Sequence, residues 1–168
     1  MSRGSLRTPA LSDWRAMCKE KNESHSPESA LRRSEHGKVP MKCATLLCVD
    51  DNAAILRFYL ILLSRYGYDV LPARDGTHAL EVFRAYAGKI NAVILDYQMP
   101  GMNGLELAAS LKRTAPSLPI LMISTAPPLP EEMSPFVDAT ITKGTPVRHI
   151  LTQLERLLAD HRSRQSMD

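Results

Sequence analysis

Asp96 closes the apolar run Ala92 to Leu95 and is followed by Tyr97-Gln98-Met99-Pro100-Gly101-Met102-Asn103-Gly104. β-Branched residues ahead of an acid, with Pro and Gly behind it, describe a buried parallel strand. Such a strand delivers one carboxylate to the carboxyl edge of a sheet, where open α/β folds bind ligands. A carboxylate there can be a metal ligand, a nucleophile, or only a loop-capping acid. Other apolar runs also end in polar groups: Ala44–Val49 in Asp50-Asp51, Ile120–Ile123 in Ser124-Thr125, and Ala139–Ile141 in a loop carrying Lys143. Parallel strands share one carboxyl edge, so these distant residues converge. Clustered carboxylates repel and shift one another's pKa unless a cation neutralises them, and hard oxygen ligands at a shallow, partly hydrated site suit Mg²⁺. A hydroxyl and an ammonium alongside are what a bound phosphoryl group needs. Singly, each residue has a plainer role: paired acids start helices, an acid before Pro-Gly caps a turn, and a lysine beside Gly144 is a solvated loop lysine. The specific feature is their order along the chain and their placement at strand ends.

The elements that must position them follow a regular alternation from Met41 onward. Besides the runs above, Tyr68–Leu71 and Ala92–Leu95 read as strands. Helical patterns fall at Ala53–Tyr66, Gly76–Ala87, Gly104–Thr114 and Val147–His161. In the first, Ile55, Leu56, Tyr59, Leu62, Leu63 and Tyr66 recur at helical steps and mark a buried face; Ile150, Leu151, Leu154, Leu157 and Leu158 do so in the last. Thr145-Pro146 reads as the cap and first-turn proline of that last helix. Strands alternating with helices predict a parallel sheet covered on both faces, a doubly wound α/β domain. Between Thr125 and Phe136 stand Pro127, Pro128, Pro130 and Pro135, so the helix expected there is shortened or missing.

Composition narrows the classes of function. At 168 residues, with 44% hydrophobic and 23% charged, the chain has room for one full domain. No apolar run is long enough to span a bilayer, and Cys43 and Cys48 in a strand-like run do not suggest a disulfide framework, so a cytoplasmic protein is expected. The formal charge of +3 is carried by residues 1–40, which hold 8 Lys/Arg and 5 Asp/Glu, whereas 41–168 hold 13 of each. The domain therefore makes no electrostatic case for nucleic acid. Residues 1–40 lack sustained periodicity and read as a basic, disordered extension, with a short helix possible at Ser12 to Lys21. Met41 stands just ahead of the first strand, so a start codon placed too early would also account for this extension. Residues 41–161 are the expected domain and 162–168 a short tail.

Leu46-Leu47-Cys48-Val49-Asp50-Asp51-Asn52, then Val93 to Gly104 with its D-x-x-M-P-x-M-x-G core, Leu118 to Ala126, and Ile141-Thr142-Lys143 resemble the receiver domain of two-component response regulators. The likeness covers about residues 43–160. It implies a flavodoxin-like five-stranded sheet of order 2-1-3-4-5, an order for which the chemotaxis member of the family is itself a standard example. It also implies that Asp96 is the phosphoacceptor, taking phosphate from a sensor histidine kinase or histidine phosphotransfer protein. By the same likeness Asp51, Asp96 and the Gln98 backbone carbonyl hold Mg²⁺, with Asp50 holding metal-bound water. Ser124 and Lys143 would bind the phosphoryl group. The family turns over no separate substrate, and members without an output domain act by docking on a downstream protein or by relaying phosphate to a histidine phosphotransfer protein. With only Arg162–Asp168 after the last helix, a stand-alone regulator is expected.

This chain departs from the family pattern at several positions. Gly144 replaces the usual proline after the lysine, leaving that loop freer. Thr125 stands where Ala or Gly is usual, narrowing access to Asp96. Thr140 occupies the place of the aromatic switch and has no ring to swing. Two other readings compete: a phosphorylation-independent adaptor using its altered fourth-helix face, and a haloacid dehalogenase-type hydrolase. The latter expects D-x-D, and here Gln98 holds the second acidic position.

Overall fold

The computed structural model describes residues 44–125 and 135–166, all within the unit Lys42–Asp168. The elements run β1 (Thr45–Val49), α1 (Ala53–Arg65), β2 (Asp69–Ala73), α2 (Gly76–Ala85), β3 (Ile90–Asp96), α3 (Gly104–Thr114), β4 (Ile120–Ser124), β5 (Ala139–Thr142) and α4 (Val147–Gln165). The strands form one parallel sheet of order β2-β1-β3-β4-β5. This is the expected flavodoxin-like arrangement. No helix occurs between β4 and β5 among the described residues, and the proline-rich stretch 126–134, like residues 1–43, lies outside them.

Both faces of the central strands are buried, as a parallel sheet requires, so β1, β3 and β4 read as continuous apolar runs rather than alternating ones. Leu47, Val49, Val93 and Leu95 pack on one face with Val82 and Phe83 of α2 and Leu107 and Leu111 of α3. Side-chain alternation sends Leu46, Cys48 and Ile94 to the opposite face, covered by α1 and α4. That alternation also places Asp50 and Asp96 on the α1 side, each at the top of its strand. Burial pushes the Cys48 thiol pKa far up, so it packs as an inert apolar group.

Pro72 lies inside β2, extending that strand beyond the expected Leu71; the missing N–H is tolerated because β2 is an edge strand. In α1 the buried set is Leu56, Tyr59, Leu60 and Leu63, so Leu60 belongs to the inner face and Tyr66 does not. Tyr66 is the C-cap, next to Gly67 at φ +84°, where the chain has left the helix; its side chain is 58% exposed. The five apolar positions expected inside the last helix are all buried. Pro146, rather than Thr145, is the N-cap of α4 and makes no side-chain cap bond. The helix runs past His161 to Gln165, with Arg162 and Arg164 in the last turn complementing its negative pole.

Candidate functional site

Three strand ends and one turn build a single pocket. Asp50 follows β1, Asp96 is the last residue of β3, Ser124 the last of β4, and Lys143 follows β5. Asp50 and Asp96 are 3% and 2% exposed, so their carboxylates form the floor, while Asp51 stands exposed at the rim. One carboxylate oxygen each from Asp50, Asp51 and Asp96 lies within 4.8 Å of the other two, a spacing that could hold a metal ion. Lys143 Nζ donates to Asp96 Oδ2 at 2.7 Å and lies 3.9 Å from Asp50 Oδ2. The Lys143 backbone N–H donates to the Ser124 carbonyl at 2.7 Å, tying that loop to the end of β4. Gly144 has φ +88°, a conformation proline cannot adopt. The loop therefore turns in its own way, and it still brings the ammonium to Asp96.

Local backbone bonds fix the acids. Asp50 Oδ1 accepts the Asn52 N–H at 2.8 Å, and the Asn52 side chain caps α1 by accepting from Ala54 N. The Gln98 N–H makes a longer bond, 3.3 Å, to Asp96 Oδ1. Burial raises the Asp50 pKa, partly opposed by the Asn52 N–H; the charges of Asp96 and Asp51 raise it further, and Lys143 lowers it. For Lys143 burial alone would lower the pKa, but the bond to Asp96 and the charges of Asp96, Asp50 and Asp51 outweigh that, and the net direction is upward. The Asp50 shift is mainly a burial effect, whereas the Lys143 shift reflects the carboxylates around its ammonium.

A raised carboxyl pKa in the folded state contributes stability only in acid, below about 3.8, and that contribution is lost as the pH rises through the folded value. Asp50 ionised at neutral pH is therefore a cost to the cation-free fold. Asp50→Asn is expected to raise the melting temperature at pH 7 without divalent ions, equivalent to roughly 0.5–2 kcal/mol. The gain should shrink as the pH approaches 3.8, and Mg²⁺ binding should weaken. Thermal melts at several pH values check the first part and Mg²⁺ titration the second.

Gly104, read from the sequence only as a loop and helix-start glycine, has a structural role beside Asp96. A Cβ on it would sit 2.6 Å from the Asp96 carbonyl oxygen and 2.9 Å from Tyr97 Cα, both backbone atoms that cannot swing aside. The Asn103–Glu106 capping box fixes α3 at this point. Gly104→Ala should destabilise the domain by about 1–3 kcal/mol, measured by denaturant unfolding. The capping pattern is legible in the sequence; the close approach is not. The Gln98 side chain was also not foreseen. Thr125 Oγ1 donates to Gln98 Oε1 at 3.1 Å, linking the loops after β4 and β3. Thr140 is exposed on β5, away from the acids.

A parallel sheet of order 2-1-3-4-5, with buried acids and a lysine at its carboxyl edge, defines a flavodoxin-like doubly wound domain with an acidic pocket. The chain belongs to the response regulator receiver domain family, whose model matches residues 46–154. It is 31% identical over 120 residues to the autoinducer 1 sensor kinase/phosphatase LuxN of Vibrio harveyi, covering 71% of this chain and 13% of that protein. It is 31% identical over 116 residues to the response regulator MprA of Mycolicibacterium vanbaalenii, covering 67% of this chain and 49% of MprA. The chain thus spans less than half the length of either relative. Among solved structures it resembles the chemotaxis protein CheY4 of Vibrio cholerae (27% identity, 69% of this chain and 99% of that one, TM-score 0.63). It also resembles the response regulator TrrA of Thermotoga maritima (26% identity, 68% and 98%, TM-score 0.63). No helix among the described residues is long and apolar enough to cross a membrane.

Proposed function

We propose that this receiver domain accepts a phosphoryl group on Asp96 from a phosphohistidine of a sensor kinase or phosphotransfer protein, and signals by phosphorylation-dependent docking on another protein. The observation that carries the reading is the meeting of Asp50, Asp51 and Asp96, oxygens within 4.8 Å, with Lys143 at 2.7 Å from Asp96. A carboxylate oxygen of Asp96 forms the new bond to phosphorus as the N–P bond breaks, its electron pair returning to the imidazole. Asp96 is held for this by a rigid strand, so alignment costs little at the moment of reaction.

The donor set fits Mg²⁺: hard oxygens, part buried and part at an exposed rim, around more negative charge than Lys143 balances. Asp51, Asp96 and the Gln98 carbonyl would hold it, with Asp50 holding its water. Bound there, it supplies positive charge that offsets the carboxylates and the incoming phosphoryl oxygens. TrrA, a similar protein, was crystallised in complex with Mg(2+)-BeF, which supports the same use of this pocket. Lys143 then turns from the Asp96 carboxylate to a phosphoryl oxygen, and Ser124 donates its hydroxyl to another. The domain modifies only itself and turns over no separate substrate.

Phe58 and Ile61, 47% and 43% exposed, put two apolar side chains on the outer face of α1. Residues 41–161 form the receiver in this reading, acting in the cytoplasm, with 1–40 as an extension and 162–168 as a tail. A threonine at position 140 has no ring to report phosphorylation, so output relies on the Ser124 and Lys143 loops. Beryllofluoride titration tests the reading. Saturable Mg²⁺-dependent binding that disappears in Asp96→Ala is expected; binding that survives the substitution would overturn it.

A further inference from the structure

A separate cleft opens at the amino edge of the sheet, the edge opposite Asp96. It lies where β4 and β5 begin, between Ser117, Pro119 and Asp138 on one side and the second half of α4 on the other. Its volume is about 250 Å³, just below the range of drug-sized ligand sites, so a ligand there must be small. Pro119 and Leu157, both buried, give it an apolar base. Asp138 is fixed in place: its Oδ2 accepts from Lys112 Nζ at 2.7 Å and from the Ile120 N–H at 2.8 Å. Its other oxygen keeps acceptor capacity for a ligand. Arg156 is held only loosely, its Nε 4.0 Å from Asp160 Oδ2, with both side chains more than half exposed. Arg164 makes no ion pair among the described residues. The two arginines are eight residues apart, about 12 Å along the helix axis, a span their long side chains can close. Lys112, Arg156 and Arg164 outnumber Asp138 and Asp160 around the cleft, so its formal charge is positive.

We propose that this cleft binds a small hydroxylated organic phosphate, of the sugar-phosphate class. Arg156 and Arg164 supply planar forks of N–H donors, which suit the oxygens of a phosphate. Asp138, Asp160 and Gln153 supply acceptors for hydroxyl groups, which a bare anion would leave unused. The apolar base suits a carbon skeleton. The volume corresponds to roughly eight waters, more than an inorganic phosphate fills. Giving up the Arg156–Asp160 contact for a ligand costs little, because exposed ion pairs are weak. The cleft lies at the other edge of the sheet from the acidic pocket, and binding there does not depend on Asp96 being phosphorylated.

Isothermal titration of the full-length chain in EDTA tests this, with glucose 6-phosphate, inorganic phosphate and glucose as separate arms at matched ionic strength. EDTA keeps divalent ions out of the acidic pocket, whose carboxylates then repel anions. Saturable binding of glucose 6-phosphate is expected, about tenfold tighter than inorganic phosphate, with glucose alone not binding. Arg156→Gln and Arg164→Gln should each weaken it by about fivefold or more. Arg148→Gln, which removes an exposed arginine at the start of α4 outside the cleft, should leave it unchanged. Equal weakening by all three substitutions, or by none, would assign binding to overall charge and overturn the proposal. Inorganic phosphate binding as tightly as glucose 6-phosphate would overturn it by leaving an adventitious ion only, and so would the absence of saturable binding in every arm.

Discussion

Chelation of divalent cations is expected to slow phosphoryl acceptance by Asp96 by at least about a hundredfold, toward a thousandfold at low salt. Three carboxylates with oxygens within 4.8 Å face one ammonium, so the pocket alone is net negative. An incoming phosphoryl group adds negative charge at the same place. Two unit charges at about 4 Å interact by about 4 kcal/mol at the effective dielectric of a pocket near the surface, a factor of roughly a thousand in rate. Burial of Asp50 and Asp96 limits how far solvent and salt can screen this. The rate with EDTA against the rate with saturating Mg²⁺ checks it; equal rates would contradict the electrostatic account.

Lys143→Met is the second large effect, and its parts have opposite signs. The ammonium is the partner of a carboxylate that is 2% exposed, so removing it leaves a buried charge without its cation. Breaking buried pairs costs about 3–5 kcal/mol; because the lysine side chain is 28% exposed, roughly 2–3 kcal/mol is expected here in the absence of Mg²⁺. The upward shift of the Lys143 pKa fixes the pH window. The pair's contribution is complete below about 10.5 and is lost as the pH rises through the higher folded value. Mg²⁺ should bind the variant more tightly, about tenfold, since no ammonium competes for Asp96 and Asp50. Labelling of Asp96 should nevertheless fall about a hundredfold, because the phosphoryl oxygens lose their charged donor. Denaturant unfolding, Mg²⁺ titration and labelling measure the three parts. A weakened Mg²⁺ affinity would mean that Lys143 supports the cation site instead of competing with it.

The fold was legible because its local signals agree. Apolar runs ending in Asp50, Asp96 and Ser124, with amphipathic helices between them, leave little choice except a parallel sheet, and α3 has the predicted bounds, Gly104–Thr114. The errors fall where a neighbour overrides local pattern. Tyr66 keeps the helical spacing, but the turn at Gly67 carries it into solvent, and Pro72 is accepted in a strand only because that strand is at the sheet's edge. Strand order came from family resemblance, since periodicity does not encode which strands are adjacent. At the site, residue types and their edge were readable, but contacts were not. Nothing in the sequence states that Gly144 at positive φ still delivers Lys143, that Gly104 touches the backbone of Asp96, or that Gln98 and Thr125 bond across the loops. Each depends on two segments meeting in space.

The departures at Gly144, Thr125 and Thr140 divide by position. Lys143 reaches Asp96 despite Gly144, so the acid–lysine geometry is kept. Thr125 and Thr140 lie outside that contact, at the mouth and on β5. Thr140 is exposed and lies outside the Asp96–Lys143 contact, so substitutions there should leave labelling of Asp96 intact.

The central claim, that Asp96 is the phosphoacceptor, is tested most directly by intact-mass measurement after exposure to acetyl phosphate and Mg²⁺, with a phosphorylated histidine donor as a parallel arm. The wild type should gain the mass of one phosphoryl group, lose it on standing, and gain nothing as Asp96→Ala. A wild type that stays unmodified with both donors, or an Asp96→Ala protein that is still modified, would contradict it.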